Sequence, residues 1–313
     1  MNVSKVTCIL NEAAGSRPGA QTRDTLARLF AEHRTPAHIV LASRGAEIPE
    51  LARRAVKQKT ETIVAGGGDG TVNAVASQVV GTPSAFGIIP LGTLNHFARD
   101  ARIPMDLQGA VRCIVNGHIK KVDVGQVNGH IFLNNSSLGI YPLIVRQREE
   151  EQKAGRNKWW AFARAIVSVL SRYSLLRVHI QVDQQELVRD SPFVFVGNNE
   201  YQVQSFHIGE RLQLDGGNLC VYVANRCARA CLVRLALQAL LGRLREASEL
   251  DAMTLKQLVV RTRRRRMSVA TDGEVRLVKT PLEYRILPHA LQVIVPPSPV
   301  PGGRTQFGRE NLV

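Results

Sequence analysis

Long apolar runs, cysteine and acidic side chains are scarce in this 313-residue chain, and each shortage excludes something. Arg164 and Arg172 interrupt its most apolar stretch, short of the roughly twenty apolar residues that a membrane-spanning helix needs. The five cysteines (Cys8, Cys113, Cys220, Cys227 and Cys231) are odd in number and lack a disulfide-scaffold spacing. Cys227 and Cys231 have no second Cys/His pair nearby, which argues against zinc and for reduced thiols in a cytosolic protein. The first residues run straight into a strand-like segment with no charged-then-apolar leader, so a secretory signal is not expected. No segment repeats another. With 44% hydrophobic and 21% charged residues the chain is of ordinary globular composition, long enough for about two domains and able to fold without disulfides.

The shortage of acids leaves an excess of base. Asp and Glu number 26 against 41 Lys and Arg, a formal charge of +15, which implies an anionic partner: nucleic acid, acidic lipid or a phosphorylated ligand. Eleven basic residues against three acids lie between Arg226 and Arg266, more than half of the excess. That segment is expected to face the anion.

Residues 1 to about 120 alternate short apolar runs (Val6–Leu10, His38–Leu41, Thr62–Ala65, Ala85–Ile89) with amphipathic segments such as Thr25–His33 and Pro49–Lys57. That rhythm predicts a parallel sheet covered by helices, with ligands at the carboxyl ends of its strands. From Val122 the rhythm changes. Val122–Val127 and His130–Asn134 flank Asn128-Gly129, a strong hairpin turn. Further strands are expected at Arg177–Asp183, Phe193–Gly197, Leu219–Val223, Leu255–Val260, Ser268–Ala270, Val275–Val278, Leu282–Ile286 and Leu291–Val295. Asp272-Gly273 sits between two of them. Short polar turns between strands imply an antiparallel second domain, interrupted by helical segments near Trp159–Tyr173 and Ala230–Ala247. The expected division is 1–122, 123–296 and a flexible tail over 297–313.

The most informative segment is Thr62-Ile63-Val64-Ala65-Gly66-Gly67-Gly68-Asp69-Gly70-Thr71-Val72-Asn73. An apolar strand feeds four glycines within five residues, and Thr71 to Val80 then reads as a helix. Glycines let backbone amides approach an anion, and a helix starting there adds the positive end of its dipole. Asp69 would repel a phosphate unless a cation sits between them, and Mg²⁺ is the natural mediator. The alternative is a tight strand-to-helix turn with a capping aspartate. A second loop, Pro90-Leu91-Gly92-Thr93-Leu94-Asn95, repeats the pattern, so both would lie at one sheet edge and flank one nucleotide. Neither loop has the lysine of a Walker motif or the spacing of a dinucleotide fingerprint.

These two loops resemble those of the diacylglycerol kinase catalytic-domain family, with its bacterial diacylglycerol- and sphingosine-kinase-like branch. The resemblance continues through Asn134-Asn135-Ser136-Ser137-Leu138-Gly139, Leu214-Asp215-Gly216-Gly217 and Thr271-Asp272-Gly273-Glu274, nearly the whole chain up to Pro296. It implies an N-terminal α/β nucleotide domain of NAD kinase and phosphofructokinase type and a β-rich antiparallel C-terminal domain. It also implies ATP and Mg²⁺ as cofactors. ATP phosphates would lie on Gly67, Gly68, Asp69, Gly70, Thr71, Val72 and Asn73, with Thr93 on the nucleotide. Asn11 and Gly15 match a further loop in which Glu12 replaces the family's proline, and Ser43 is the nearest match to a nucleotide-facing threonine. Glu274 matches the family's base, and Asp69 the carboxylate at the phosphates. Asp215, with the carbonyls of Leu212 and Gly217, matches a structural Mg²⁺ site. His96 stands where the family has an acid. Asp123 matches a family aspartate.

The chemistry fits independently of the family. An alcohol loses its proton as it attacks a γ-phosphoryl group, so a carboxylate on a turn beside the phosphates is useful. Trp159, Phe162, Ala163, Ile166 and Leu170 fall on one face of a helix, which reads either as interfacial or as packed on its own domain. The Arg261–Arg266 run lacks the interleaved aromatics of a nucleic-acid patch and suits anionic headgroups. The expected protein is an ATP- and Mg²⁺-dependent kinase of a diacylglycerol-like lipid, cytoplasmic and peripheral on the inner face of the membrane. It would bind no nucleic acid, and a homodimer stays open. The rivals are a NAD kinase-like enzyme with a soluble substrate and a catalytically silent nucleotide- or lipid-binding regulator.

Overall fold

The computed structural model describes residues 5–15, 19–139, 176–182, 185–200, 211, 213–224 and 250–297. The helical segments expected near Trp159–Tyr173 and Ala230–Ala247, the basic residues from Arg226 to Arg245, Leu212 and the tail beyond 297 lie outside the described residues.

The first half alternates strand and helix: β1 (Val6–Asn11), α1 (Gly19–Glu32), β2 (Ala37–Ala42), α2 (Ile48–Lys57), β3 (Thr62–Gly67), α3 (Asp69–Val79) and β4 (Ala85–Pro90). The strands pair in parallel in the order β2-β1-β3-β4. Their side chains are buried on both faces, which is why they read as continuous apolar runs. On one face Cys8, Leu10, Val64 and Ile89 pack against Leu26, Leu29 and Phe30 of α1. On the other, Ile9, Ile63, Ala65 and Ile88 pack against Ala52 of α2 and Val72, Val75 and Ala76 of α3. Two helices follow: α4 (His96–Asp100), where the sequence reads a helical start after the second glycine loop, and α5 (Leu107–Asn116), missing from the sequence reading and capped by Asp106, which accepts from Gly109 N–H.

The second half is built from β5 (His118–Val127), β6 (His130–Phe132), β7 (Asn135–Gly139), β8 (Leu176–Val182), β9 (Gln185–Ser191), β10 (Phe193–Asn198), β11 (Leu219–Ala224), β12 (Leu250–Leu255), β13 (Gln257–Arg261), β14 (Arg266–Thr271), β15 (Glu274–Lys279) and β16 (Leu282–Val295). One antiparallel sheet runs β12-β11-β10-β7-β14-β15. The remaining strands extend the first sheet in the order β4-β16-β13-β8-β9, with β5 attached to β16 and β6 to β5. Between the sheets lies a shared core of Phe132, Leu138, Val194, Val196, Val221, Val269 and Tyr284. The expected fold class, a parallel α/β part and an antiparallel β-rich part, is present.

Three details differ from expectation. Leu255–Val260 is not one strand: the chain bends at Lys256, and β12 and β13 belong to different sheets. Leu282–Ile286 and Leu291–Val295 are one fourteen-residue strand, bulged between Leu287 and Leu291. Its last residues pair with β4 (Val293 with Phe86) while its first pair with β13, so β16 belongs to both halves. Strand β7, Asn-Ser-Ser-Leu-Gly, has little β-propensity of its own; pairing with β10 on one side and β14 on the other makes it a strand. Cys8, Cys113 and Cys220 are buried and unpaired with one another; burial pushes the Cys8 thiol up to about 12 and that of Cys113 to about 11.

Candidate active site

Strand β3 ends at Gly66-Gly67, Gly68 takes the N-cap position, and α3 starts at Asp69. The first N–H groups of a helix have no partner within it, so the amides after Gly68 face outward at the positive end of the α3 dipole. The glycines are required by close approach. A Cβ on Gly67 would collide with Thr71, and a Cβ on Gly92 would lie 2.5 Å from Gly68 Cα. The two glycine loops therefore interlock, and Leu91 N–H donates to Gly67 O at 2.9 Å. Asn95, in the left-handed region at φ 50°, holds the second loop from within: its Oδ1 accepts from Gly92 N–H (2.9 Å) and its Nδ2 donates to Gly92 O (2.7 Å).

Several side chains expected at the nucleotide are committed to this framework. Asn11 Nδ2 donates to Thr71 Oγ1 at 3.1 Å, joining β1 to α3. Val72 is buried in the core beneath the helix and offers the site only its backbone. Asn73 Nδ2 donates to Asp272 Oδ2 at 2.5 Å. Gly15, at φ +89°, stands beside Leu91. Ser43 Oγ donates to Glu12 Oε2 at 3.0 Å, so the glutamate replacing the family's proline ties the exits of β1 and β2 together. Facing outward are the loop amides, exposed Thr93 and the half-buried Asp69 carboxylate, which makes no hydrogen bond or ion pair among the described residues.

Across the two sheets, the β14–β15 turn comes down on this loop. Asp272 and Gly273 have φ of 48° and 86°, the pair of left-handed residues that a tight hairpin requires. The Asp272 carboxylate accepts from the N–H groups of Leu133 (2.7 Å), Asn134 (2.8 Å) and Asn135 (3.0 Å) as well as from Asn73. Burial pushes this carboxyl above the ordinary range while the four hydrogen bonds oppose that. Among the described residues four donors and no acceptor surround it, so the geometry fits the ionised form. The clasp sets Glu274 against the start of α3: a Cβ on Gly70 would lie 3.1 Å from Glu274 Oε1. Glu274 Oε2 accepts from Arg276 Nη2 at 2.7 Å, both side chains being 45% exposed. One carboxylate oxygen is thus held by an arginine and the other faces the phosphate-type loop beside Asp69.

Sequence reasoning missed the Arg211 knot. Its buried guanidinium pairs with Asp100 Oδ2 at 2.7 Å, donates to Leu133 O (2.6 Å), Asn198 O (3.2 Å) and Asn134 Oδ1 (3.1 Å), and lies 5.6 Å from the centre of the Phe97 ring. It binds α4, which follows the second glycine loop, to the β6–β7 connection whose amides hold Asp272. Burial raises the Asp100 carboxyl and Arg211 pulls it back down. A single arginine outside any motif gives no sequence signal; the neighbouring Asn134-Asn135 was the only visible trace.

The expected metal corner is arranged differently. Asp215 Oδ1 lies 3.2 Å from Lys120 Nζ, Gly217 N–H donates to Asp123 Oδ2 at 2.6 Å, and Leu212 lies outside the described residues. Asp123 is 1% exposed, and its Oδ1 accepts from His289 N–H at 2.9 Å. It is a structural anchor at the bulge of β16. Ala290 O, next to His289, accepts from Gly81 N–H past the far end of α3. The described residues gather no cluster of three metal-ligating side chains. The expected site takes one carboxylate and two backbone carbonyls; Leu212 O lies outside the described residues, and the Asp215 carboxylate is paired with the Lys120 ammonium.

Comparison with known proteins bears on the fold and the family. The diacylglycerol kinase catalytic domain matches residues 5–127, and the YegS C-terminal NAD kinase beta sandwich-like domain matches residues 144–295. A diacylglycerol kinase of Staphylococcus epidermidis is 39% identical over 90 residues, 28% of each chain; that of Staphylococcus haemolyticus is 42% identical over 90 residues, 28% of this chain and 27% of the other. These alignments thus span little more than a quarter of the curated relatives. A Bacillus anthracis str. Sterne crystal structure, proposed to be a diacylglycerol kinase, superposes with a TM-score of 0.74 over 95% of this chain and 99% of that one, at 24% identity. At that identity the likeness is one of fold. With both halves matched in order, the chain belongs to the diacylglycerol kinase catalytic-domain family.

Proposed function

We propose that the protein is an ATP-dependent kinase that transfers the γ-phosphoryl group to a hydroxyl of diacylglycerol or a related lipid. The observation that carries this reading is the approach of Glu274 Oε1 to Gly70, which puts a carboxylate from one sheet on the anion-accepting helix start of the other. The amides after Gly68 receive the nucleotide phosphates, and Thr93 borders them. Mg²⁺ arrives with the nucleotide as part of the substrate, and the Asp69 carboxylate, unpartnered among the described residues, is the residue suited to meet it. Arg276 holds Glu274 Oε2, leaving Oε1 to orient the acceptor hydroxyl and take its proton as the oxygen attacks phosphorus. Asp272, clasped by three backbone amides and Asn73, is a positioning residue: it fixes where Glu274 stands.

No helix among the described residues is long and apolar enough to cross a membrane. The test is a panel of diacylglycerol, sphingoid base, ceramide and phosphatidylglycerol, each offered with labelled ATP. Phosphate transfer to a member of the panel is expected. Glu274→Gln should lower kcat on that lipid by about 10²–10⁴-fold, the usual contribution of a positioned base, while ATP still binds. Undiminished turnover in Glu274→Gln would remove its role, and ATP consumption indifferent to every lipid would remove the acceptor class.

A further inference from the structure

The hairpin that carries Glu274 at one end carries a concentration of positive charge at the other. The β13–β14 turn presents Arg263, Arg264 and Arg265, Arg266 opens β14, and Lys279 closes β15. With Thr262 and Thr280 they line an open cavity of about 420 Å³. Its two walls are braced through the main chain. Thr280 N–H donates to Arg265 O (3.1 Å), Thr280 Oγ1 to Arg264 O (2.5 Å), and Arg264 N–H to Thr262 Oγ1 (3.3 Å). All five cationic side chains are exposed, and none makes a hydrogen bond or ion pair among the described residues. Cations gathered around one cavity, with no counter-ion among the described residues, create a local field that an anion relieves.

The neighbouring surface tells which anion. Arg266 pairs with Lys279 and Ser268 with Leu277, and directly opposed residues share a face of the sheet. Met267 and Val278 point the other way, into the core. Leu277, 63% exposed, therefore stands two pairs along from Lys279 on the same outward face of an edge strand. A soluble phosphate needs neither five cations nor a leucine, and the face has no aromatic side chain on which nucleic-acid bases could stack. Acidic headgroups with acyl chains behind them use both features.

We propose that this end of the second sheet, Arg263–Arg266 with Lys279 and Leu277, docks the protein on membranes rich in anionic phospholipid. From Glu274 to Lys279 the strand advances five residues, about 17 Å at ~3.3 Å per residue. Glu274 also alternates onto the opposite face from Leu277. Docking is thus separate from phosphoryl transfer, goes beyond the kinase reading, and can be measured with no nucleotide present.

The experiment is co-sedimentation with vesicles of phosphatidylcholine alone and of equal parts phosphatidylcholine and phosphatidylglycerol. The wild-type protein should sediment only with the mixed vesicles, less so as salt rises. The triple variant Arg263→Ser, Arg264→Ser, Arg265→Ser should bind them about 10²-fold more weakly, the size expected of three basic residues at an anionic surface. Because those changes alter a turn, a second variant, Leu277→Ser with Lys279→Ser, is made on the exposed strand face and should lose about tenfold. A folded form of either variant that binds as well as the wild type overturns the proposal. So does inorganic phosphate that releases the protein where chloride of equal ionic strength does not, which would assign the cavity to a soluble anion. Arginine-dependent retention on RNA with unaltered vesicle binding would overturn it in favour of nucleic acid.

Discussion

At Asp272 the turn and the site depend on a single side chain. Its backbone needs φ above zero, which Asn tolerates nearly as well as Asp, so Asp272→Asn leaves the turn conformation accessible. The substitution replaces one acceptor oxygen by an NH₂ group facing backbone N–H donors. The expected cost is about 1–3 kcal/mol from donors left without acceptors, read as a lower melting temperature. Since the clasp positions Glu274, kcat should fall with it while KM for ATP changes little. At Asp215 the expectation is an absence of effect. Lys120 already supplies its positive charge, so the melting temperature of the nucleotide-free protein should be equal in Mg²⁺ and in chelator. A rise in Mg²⁺ would show that an ion displaces the ammonium.

The glycine loops act as a unit because their backbones touch. A Cβ at Gly92 meets the main chain of Gly68, which cannot rotate away as a side chain would. Gly92→Ala is therefore expected to spread the two loops and abolish ATP binding, measured by calorimetry. Gly129 is the contrast. It has φ +84° in the β5–β6 turn with nothing within 4 Å of a Cβ, so Gly129→Ala should cost only about 1 kcal/mol of left-handed strain and leave ATP affinity unchanged. One substitution tests close approach; the other tests conformation alone.

For the whole molecule, the two halves are fastened by β16, by the Asn73–Asp272 clasp and by the Arg211 knot. The Arg211–Asp100 pair is nearly solvent-free, with side chains 0% and 2% exposed. Arg211→Met would leave Asp100 buried without its cation and remove the guanidinium donors from Leu133 O, Asn198 O and Asn134 Oδ1. The expected loss is about 3–5 kcal/mol, measured by urea unfolding. Asp100→Leu added to Arg211→Met should recover part of that loss, because the stranded charge is then gone. Failure to recover any would place the cost in the carbonyl contacts instead.

The strand–helix rhythm, the two glycine loops and the two hairpin turns were legible in the sequence because each depends on neighbours a few residues apart: apolar periodicity, backbone freedom and turn chemistry. Glu274 was singled out by the family resemblance; its own neighbours show only a turn glutamate after Asp-Gly. What only the tertiary structure decided involves distant residues. Strand β7 is a strand because β10 and β14 flank it, and β16 is one strand because β5 pairs along both of its halves. Asn73 and Asp272 meet across 199 positions of sequence, and Arg211 reaches Asp100 across 111. The difference is physical. A polar side chain shows in sequence only that it can hydrogen-bond, whereas its partner is set by which backbone segments the packed cores bring within about 3 Å.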